Sequence, residues 1–147
     1  MPLPVGALAP PIPGQPHGAR AVVFYKVTCP TCQMAAPKLA GFERAFPGRA
    51  LGVGQDPAER LDDFEREFGL RLPTASDTDP YDVSNAYGIS TVPTVFVIDA
   101  DEHVVDVVEA WDREGLNRAA AGLARLVGSE PPTISDPSDG LPAFRPG

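Results

Sequence analysis

Two cysteines, Cys29 and Cys32, stand where a strand-like stretch of the sequence changes into a helix-like one. Residues 20–27 are almost all apolar, with β-branched and aromatic side chains, which is typical of a strand buried on both faces of a sheet. Beyond the cysteines, large apolar residues recur at near-helical spacing as far as Phe46, so a helix is predicted over residues 29–46. A buried strand that leads straight into a helix favours an α/β fold.

The rest of the sequence predicts further strands and helices in alternation. Strand-like or extended stretches cover residues 50–55, 72–77, 90–99 and 103–110, and helical patterns cover residues 56–69, 80–87 and 112–127. Asp56 is the predicted N-cap of its helix, followed by Pro57 at the first helical position. The short gap between the last two strands allows only an antiparallel hairpin. The predicted sheet is therefore mixed, with helices on both faces in three layers.

One domain accounts for the whole length of 147 residues. Residues 1–19 are rich in Pro and Gly, which oppose helix and central strand, so we expect an extended lead-in lying over the domain. Residues 20–128 carry the strand and helix patterns of the folded domain. Residues 129–147 return to Pro, Ser, Gly and Asp without apolar periodicity, which predicts a loosely ordered tail.

The charge of the chain is acidic, since 12 Lys and Arg residues against 20 Asp and Glu residues give a net charge of −8. Nucleic acid and anionic membrane surfaces are not expected as partners, because both attract clustered cations. No apolar stretch approaches the roughly 20 residues that span a bilayer. The first twenty residues lack the basic start and apolar centre of a signal peptide. The sequence as it stands therefore predicts a cytoplasmic monomer, or an exported one if a signal has been removed.

The Cys29-Pro30-Thr31-Cys32 turn is the feature that carries chemistry. The thiolate is the nucleophile in disulfide exchange, and the positive end of a helix lowers the pKa of a thiol placed there. Cys29 opens the helix and is the predicted nucleophile, while Cys32, one turn deeper, is placed to attack the resulting mixed disulfide. Pro30 suits the helix start, and together with Thr31 it is expected to tune the redox potential.

Val92-Pro93-Thr94 opens a strand of otherwise solid apolar character. Proline is unusual inside a strand unless it has a special role. A cis Val92–Pro93 bond would turn the chain sharply and expose the backbone groups of Val92 to an extended peptide. Val92 and Pro93 are therefore the predicted substrate-binding residues, lying against the cysteine pair.

A metal site and an inert buried pair are the alternatives for two such cysteines. Zinc would need two further Cys or His ligands, and only His17 and His103 are present, at unrelated positions. Two inert cysteines are not expected at a strand-to-helix junction. We therefore expect no metal, and no cofactor beyond a redox-active Cys29–Cys32 disulfide.

Together, FYKVTCPTC and STVPTVFVID resemble the active-site turn and the cis-proline strand of the thioredoxin-like superfamily. The sequence is most similar to TlpA-like thiol–disulfide reductases and AhpC/TSA-type redoxins. Shared features are the Ala9-Pro10 lead-in, Pro37 within the active-site helix, an extra β–α insert over residues 50–69, and Tyr-Gly-x-x-x-x-Pro-Thr ending at Thr94. The resemblance implies a bacterial α/β protein, a thioredoxin-like three-layer α/β/α sandwich with a mixed central sheet. It also implies an enzyme that exchanges or reduces protein disulfides and is recharged by an upstream reductant.

Three positions depart from that resemblance. Thr28 stands where thioredoxins have Trp, Val23 where they bury an Asp, and Ala35 where TlpA-like reductases often carry Glu. The carboxylate that manages the proton of the second cysteine is thus missing from its usual positions, which bears on the rate and direction of exchange. Lys26 is the nearest charged residue in sequence, and either approaches Cys29 or extends into solvent.

Two other functions remain open from the sequence. A peroxiredoxin-like thiol peroxidase needs Thr or Ser three residues before its cysteine and Pro seven before it, where this chain has Lys26 and Val22. A non-catalytic peptide-binding module of the same fold would keep the cysteine pair oxidised. Disulfide exchange demands least of the site and is the function that the sequence favours.

Overall fold

The computed structural model describes residues 1–147 and contains seven strands and four α-helices. In chain order these are β1 (Arg20–Tyr25), α1 (Pro30–Ala45), β2 (Ala50–Gly54), α2 (Ala58–Phe68), β3 (Thr74–Ser76), α3 (Asp82–Ala86), β4 (Thr94–Ile98), β5 (Val104–Glu109), β6 (Trp111–Asp112), α4 (Arg113–Val127) and β7 (Phe144–Arg145). None of the helices has the length and apolar character needed to cross a membrane.

The central sheet has five strands in the order β3-β2-β1-β4-β5. β1 pairs in parallel with β2 and antiparallel with β4, so the sheet is mixed, as the sequence predicts. Every residue of β1 is buried, which accounts for its continuous apolar run.

Alternate side chains of β1 point into two separate cores. Val23 and Tyr25 pack with α1, α2 and α4 on one face of the sheet. Val22 and Phe24 pack on the other face with the lead-in and with Tyr87, whose ring centroid is 5.0 Å from that of Phe24. Both faces of the sheet are therefore covered, and β2 with α2 forms the additional β–α unit. The predicted thioredoxin-like α/β/α fold is confirmed.

The lead-in, residues 1–19, lies over the β4–β5 hairpin. Leu8 forms an antiparallel bridge with His103, and the hydroxyl of Tyr87 donates to the carbonyl oxygen of Pro10 at 2.6 Å. Hydrogen bonds from the backbone and from a side chain thus hold a segment whose prolines have no N–H donor.

Glu102, in the β4–β5 turn, binds the end of the lead-in through its carboxylate. Its carboxylate accepts from Arg20 at 2.9 Å and from the N–H of Gly18 at 3.0 Å, and it lies 2.9 Å from Nδ1 of His17. Burial opposes the ionisation of Glu102, but these hydrogen bonds outweigh it and lower the pKa of Glu102 to about 2.

Asp56 is not the N-cap of α2, contrary to the sequence prediction. The N-cap is Pro57, which has no side chain able to bond the helix start. The Asp56 carboxylate instead accepts from the N–H of Val27 at 2.9 Å, a backbone donor beyond the end of β1. Asp56 therefore ties the start of α2 to the segment that leads into the cysteines.

Residues 129–147 are not the loosely ordered tail that their composition predicts. Ile134 and Ser135 are buried, and β7 pairs antiparallel with β6. The indole N–H of Trp111 donates to the carbonyl oxygen of Pro142 at 2.6 Å. The segment therefore packs on the domain beside the start of α4.

Polar side chains of α4 hold this segment, which is why apolar periodicity does not reveal it. The Asn117 side chain accepts from the N–H of Ile134 and donates to the carbonyl oxygen of Ser135, both at 2.8 Å. Arg113 donates to Ser135 Oγ at 3.0 Å and to the carbonyl oxygen of Leu141 at 2.7 Å. A few such bonds order a segment that has no regular pattern of its own.

Candidate active site at the Cys29–Cys32 turn

Cys29 is the N-cap residue of α1, one position earlier than the first helical residue, which is Pro30. Its Sγ accepts from the backbone N–H of Cys32 at 3.2 Å. Cys29 is partly exposed, whereas Cys32 is only 1% exposed, and both are free thiols. The turn therefore presents one accessible sulfur and keeps a second one shielded behind it.

The surroundings of the two thiols separate their pKa values. The hydrogen bond with the Cys32 thiol lowers the pKa of Cys29 to about 6, and the N–H groups of Cys32 and Thr31 add to this effect, against the opposing effect of burial. Burial raises the pKa of Cys32 far above its ordinary value, and the neighbouring Cys29 raises it further. At neutral pH, Cys29 is therefore largely a thiolate and Cys32 a thiol.

The site has two walls: the Cys29–Cys32 turn on one side and the loop before β4 on the other. The Val92–Pro93 peptide bond is cis, as the sequence predicts, and the carbonyl oxygen of Val92 lies 3.5 Å from Cys29 Sγ. Pro93 is buried, and its carbonyl oxygen accepts from the N–H of Ala110 at 2.8 Å. The N–H of Val92 has no hydrogen-bond partner within the chain. The backbone of Val92 therefore lies beside the reactive sulfur, and its N–H is free to donate a hydrogen bond.

The core beneath the cysteines contains no carboxylate at the two positions where similar proteins carry one. Val23 and Ala35 are both completely buried among apolar side chains. Tyr25 is the polar residue in this cluster, and its buried hydroxyl has no hydrogen-bond partner. Burial raises the pKa of Tyr25 to about 12, so this hydroxyl remains protonated and does not replace the missing base.

The cation near Cys29 is Arg145, which sequence reasoning missed. Lys26 contributes its backbone carbonyl, which accepts from the N–H of Cys29 at 3.2 Å, while the charge of Arg145 contributes to lowering the Cys29 pKa. The hydroxyl of Thr31 donates to the carbonyl oxygen of Pro146 at 2.6 Å. No sequence signal links residues more than a hundred positions apart, in a segment with no periodicity.

The two histidines take part in other contacts. His17 lies 2.9 Å from the Glu102 carboxylate, and Nδ1 of His103 lies 4.0 Å from Asp99. No group of three or more His, Cys, Asp or Glu side chains is arranged to hold a metal ion. Neither histidine is joined to the cysteine turn.

Comparison with known proteins identifies the family of this sequence. Residues 17–107 match the sequence profile of the AhpC/TSA family. The chain belongs to the AhpC/TSA family. The match contains Cys29, Cys32, Val92 and Pro93, so both walls of the site lie inside the part of this AhpC/TSA chain that the family shares. The segment with Arg145 lies outside it.

Individual proteins share part of this sequence or its fold. The thiol-disulfide oxidoreductase ResA of Bacillus subtilis (strain 168) is 30% identical over 98 residues, which are 63% of this chain and 54% of ResA. The chain thus spans about half the length of that relative. DsbF from MTB has 24% identity and a TM-score of 0.62, over 72% of this chain and 81% of DsbF. A Chlorobium tepidum protein described as the thiol:disulfide interchange protein DsbE has 18% identity and a TM-score of 0.69, over 82% and 98% of the two chains. The last two similarities establish the shared fold of this AhpC/TSA chain.

Proposed function

We propose that this AhpC/TSA chain is a thiol–disulfide oxidoreductase that reduces or exchanges protein disulfides through Cys29 and Cys32. The observation that supports it most strongly is an accessible thiol of lowered pKa one helical turn from a buried thiol of raised pKa. Disulfide exchange requires a thiolate that attacks and a second thiol that resolves the mixed disulfide. The similarity to ResA supports the same function.

The first step is attack by the Cys29 thiolate on one sulfur of a substrate disulfide. The substrate S–S bond breaks as the Cys29–substrate S–S bond forms, and the other substrate sulfur leaves as a thiolate. The low pKa of Cys29 keeps the attacking species populated at neutral pH. The same N–H groups are placed to stabilise Cys29 as a leaving thiolate when an upstream reductant later releases it from a mixed disulfide.

The second step is attack by Cys32 on Cys29 Sγ. Cys32 loses its proton, a Cys29–Cys32 disulfide forms, and the second substrate sulfur leaves as a thiolate. Two electrons have then passed from the dithiol to the substrate, and the two substrate thiolates are protonated by the solvent and by the proton from Cys32. A dithiol reductant upstream restores both thiols by the same exchange in reverse.

The backbone of Val92 is the proposed binding site for the substrate chain. Its carbonyl oxygen is 3.5 Å from Cys29 Sγ and its N–H is unpaired. An extended peptide that bonds to this backbone as an added strand places its own cysteine beside Cys29. Recognition through backbone atoms suits an enzyme that accepts several protein partners.

The shielded Cys32 has no carboxylate to take its proton. Val23 and Ala35 occupy the positions where related proteins have one, and both are buried and apolar. The proton of Cys32 therefore passes to the departing substrate thiolate or to solvent. We infer that resolution by Cys32, and not attack by Cys29, limits the rate of exchange.

Insulin reduction with dithiothreitol as electron donor tests the proposed function. We expect the wild type to precipitate the insulin B chain faster than dithiothreitol alone, and Cys29→Ser to abolish the acceleration. Hydrogen peroxide turnover by the same preparations is the companion measurement. Rapid peroxide turnover beside negligible insulin reduction would contradict this proposal and favour a thiol peroxidase.

Counting free thiols in graded glutathione or dithiothreitol buffers separates an exchanger from a binding module. An exchanger has a Cys29–Cys32 pair that opens and closes within the range of these buffers. A disulfide that stays closed down to about −300 mV would indicate a structural bond in a peptide-binding module.

A further inference from the structure

Residues 144–147 lie across the mouth of the proposed site, outside the part of the chain that matches the family. The hydroxyl of Thr31, within the cysteine turn, donates to the carbonyl oxygen of Pro146 at 2.6 Å. On α1, Sδ of Met34 lies 3.7 Å from the guanidinium of Arg145. The segment thus touches the side of the site that carries the cysteines.

Gly147 reaches the opposite side of the site. It packs so closely against the loop before β4 that a Cβ added to it would collide with the carbonyl oxygen of Val92 and with Thr91 Oγ1. The same carbonyl oxygen faces Cys29 Sγ at 3.5 Å. Residues 144–147 therefore bridge both walls and lie against the carbonyl oxygen of Val92, part of the backbone where a substrate peptide is proposed to bind.

The segment is held mainly by the residues that precede it and by the two-residue pairing of β7 with β6. Trp111 Nε1 donates to Pro142 at 2.6 Å, and the N–H of Arg113 donates to the carbonyl oxygen of Ala143 at 3.0 Å. Beyond that point all four residues are exposed, and Phe144 is 58% exposed. Such a segment has few buried contacts to hold it down, so local opening is easier than unfolding of the domain.

Building on the proposed function, we propose that residues 144–147 are a displaceable cover that competes with protein substrates for the backbone of Val92. The cover resembles its competitor, because it is an extended stretch that lies against the cysteine turn on one side and Val92 on the other. A protein disulfide reaches Cys29 when the cover lifts away from Thr31 and Val92. The apparent affinity for a protein substrate is then reduced by the fraction of molecules in which the cover is open.

Small reagents and protein substrates differ in what they require. Cys29 is partly exposed with the cover in place, so iodoacetamide needs only the sulfur. A protein disulfide needs the sulfur and the Val92 backbone together. The competition therefore predicts that opening the cover accelerates protein exchange much more than alkylation.

Two variants open the cover in different ways. Deleting residues 144–147 removes it and leaves the Trp111 and Arg113 anchors in place. Gly147→Ala keeps the full chain and introduces the collision with Val92 and Thr91. Gly122→Ala in α4 is the matched control, because its Cβ would have only an ordinary contact at 3.8 Å. Far-UV circular dichroism and thermal melting verify the fold of each variant. If the deletion variant does not fold, the exchange rates of Gly147→Ala alone test the proposal.

The rate constants compared are those of the first step, attack by Cys29, taken from the high-pH plateau where Cys29 is fully a thiolate, since the deletion also removes Arg145. For exchange with insulin, we expect both opening variants to react about tenfold faster, as if the closed state were favoured about nine to one. Alkylation by iodoacetamide should change by less than about twofold, and Gly122→Ala should change neither rate. A synthetic peptide covering residues 139–147 should slow the deletion variant again.

Unchanged or slower insulin exchange in the opening variants would overturn the proposal that residues 144–147 cover the site. Equal acceleration of alkylation and insulin exchange would also overturn it, because that indicates general shielding of the sulfur and no competition for Val92. Failure of every protein, including the wild type, to exchange with insulin while Cys29 still alkylates would instead refute the proposed function.

Discussion

The sulfur of Cys29 lies 3.5 Å from the carbonyl oxygen of Val92, a residue 63 positions further along the chain. The register of the sheet creates this contact: β1 and β4 are antiparallel, with Phe24 opposite Thr94. The C-terminal end of β1 and the N-terminal end of β4 therefore lie side by side at the same end of the sheet. The site is a consequence of strand pairing, and both of its walls project from the most buried strands of the domain.

The pKa of Cys29 should depend on the Cys32 thiol more than on any other group. Alkylation of reduced wild type by iodoacetamide, followed by peptide mapping, should modify Cys29 with a midpoint near pH 6. Cys32→Ala removes the hydrogen bond that lowers this pKa most, so the midpoint should rise toward the ordinary value of about 8.5. Cys32→Ser keeps a donor and should lie between the two. Preferential modification of Cys32 in the wild type would contradict the assignment.

Arg145 should make a smaller contribution to the same pKa. Its charge acts on Cys29 from across the site and ranks after the hydrogen bonds, so Arg145→Gln should raise the alkylation midpoint by less than Cys32→Ala does. Added salt should reduce the difference between Arg145→Gln and wild type, because exposed charges are screened. Arg125→Gln, at an exposed position on α4, is the control. A midpoint that does not move in Arg145→Gln would show that the cation has no influence on the thiolate.

Asn117 should be a main anchor of residues 129–147. Asn117→Ala removes hydrogen bonds to the backbone of Ile134 and Ser135, both of which are buried. We expect a loss of about 1–3 kcal/mol in the free energy of unfolding, measured by urea denaturation. Arg125→Ala on the same helix should cost less than about 0.5 kcal/mol. Equal stability of the two variants would mean that Asn117 is not an anchor of the segment.

Glu102 should make the stability of the domain sensitive to acid. Its pKa in the folded protein is about 2, below the ordinary 4.5, so folding stabilises the ionised form. That stabilisation is complete above about pH 4.5 and is lost as the pH falls toward 2. Glu102→Gln should therefore lower stability at neutral pH by about 1–3 kcal/mol, since it leaves the buried Arg20 without its negatively charged partner.

The acid dependence distinguishes this contribution from a purely steric one. The difference in melting temperature between wild type and Glu102→Gln should shrink as the pH is lowered from about 6 to about 3. Glu130→Gln, at an exposed position, should melt like the wild type throughout. A difference that is the same at both pH values would show that ionisation of Glu102 does not stabilise the fold.

The parts of this structure that depend on short-range pattern could be predicted from the sequence. The apolar run of β1, the cysteine turn and the helix after it are encoded within about thirty consecutive residues, and Val92-Pro93 carries its own signal. Burial of alternate side chains on both faces of β1 explains why that run was recognisable.

The parts that depend on isolated polar contacts could not be predicted. Asp56 has the residue type of a helix cap, yet its carboxylate accepts a hydrogen bond from the N–H of Val27 instead of from the start of α2. Residues 129–147 have the composition of a disordered segment, yet Asn117 and Arg113 hold them in place. In each case the deciding partner is distant in sequence, and neither propensity nor periodicity contains that information.

The most direct test of dithiol exchange is the trapping of mixed disulfides with single-cysteine variants. Cys32→Ser lacks the resolving thiol, so after reaction with insulin it should accumulate covalent adducts joined through Cys29, visible on non-reducing gels and released by dithiothreitol. Cys29→Ser retains only the shielded sulfur of raised pKa and should form few adducts or none. Adducts that form mainly through Cys32 in Cys29→Ser, or no adducts in Cys32→Ser, would contradict the account.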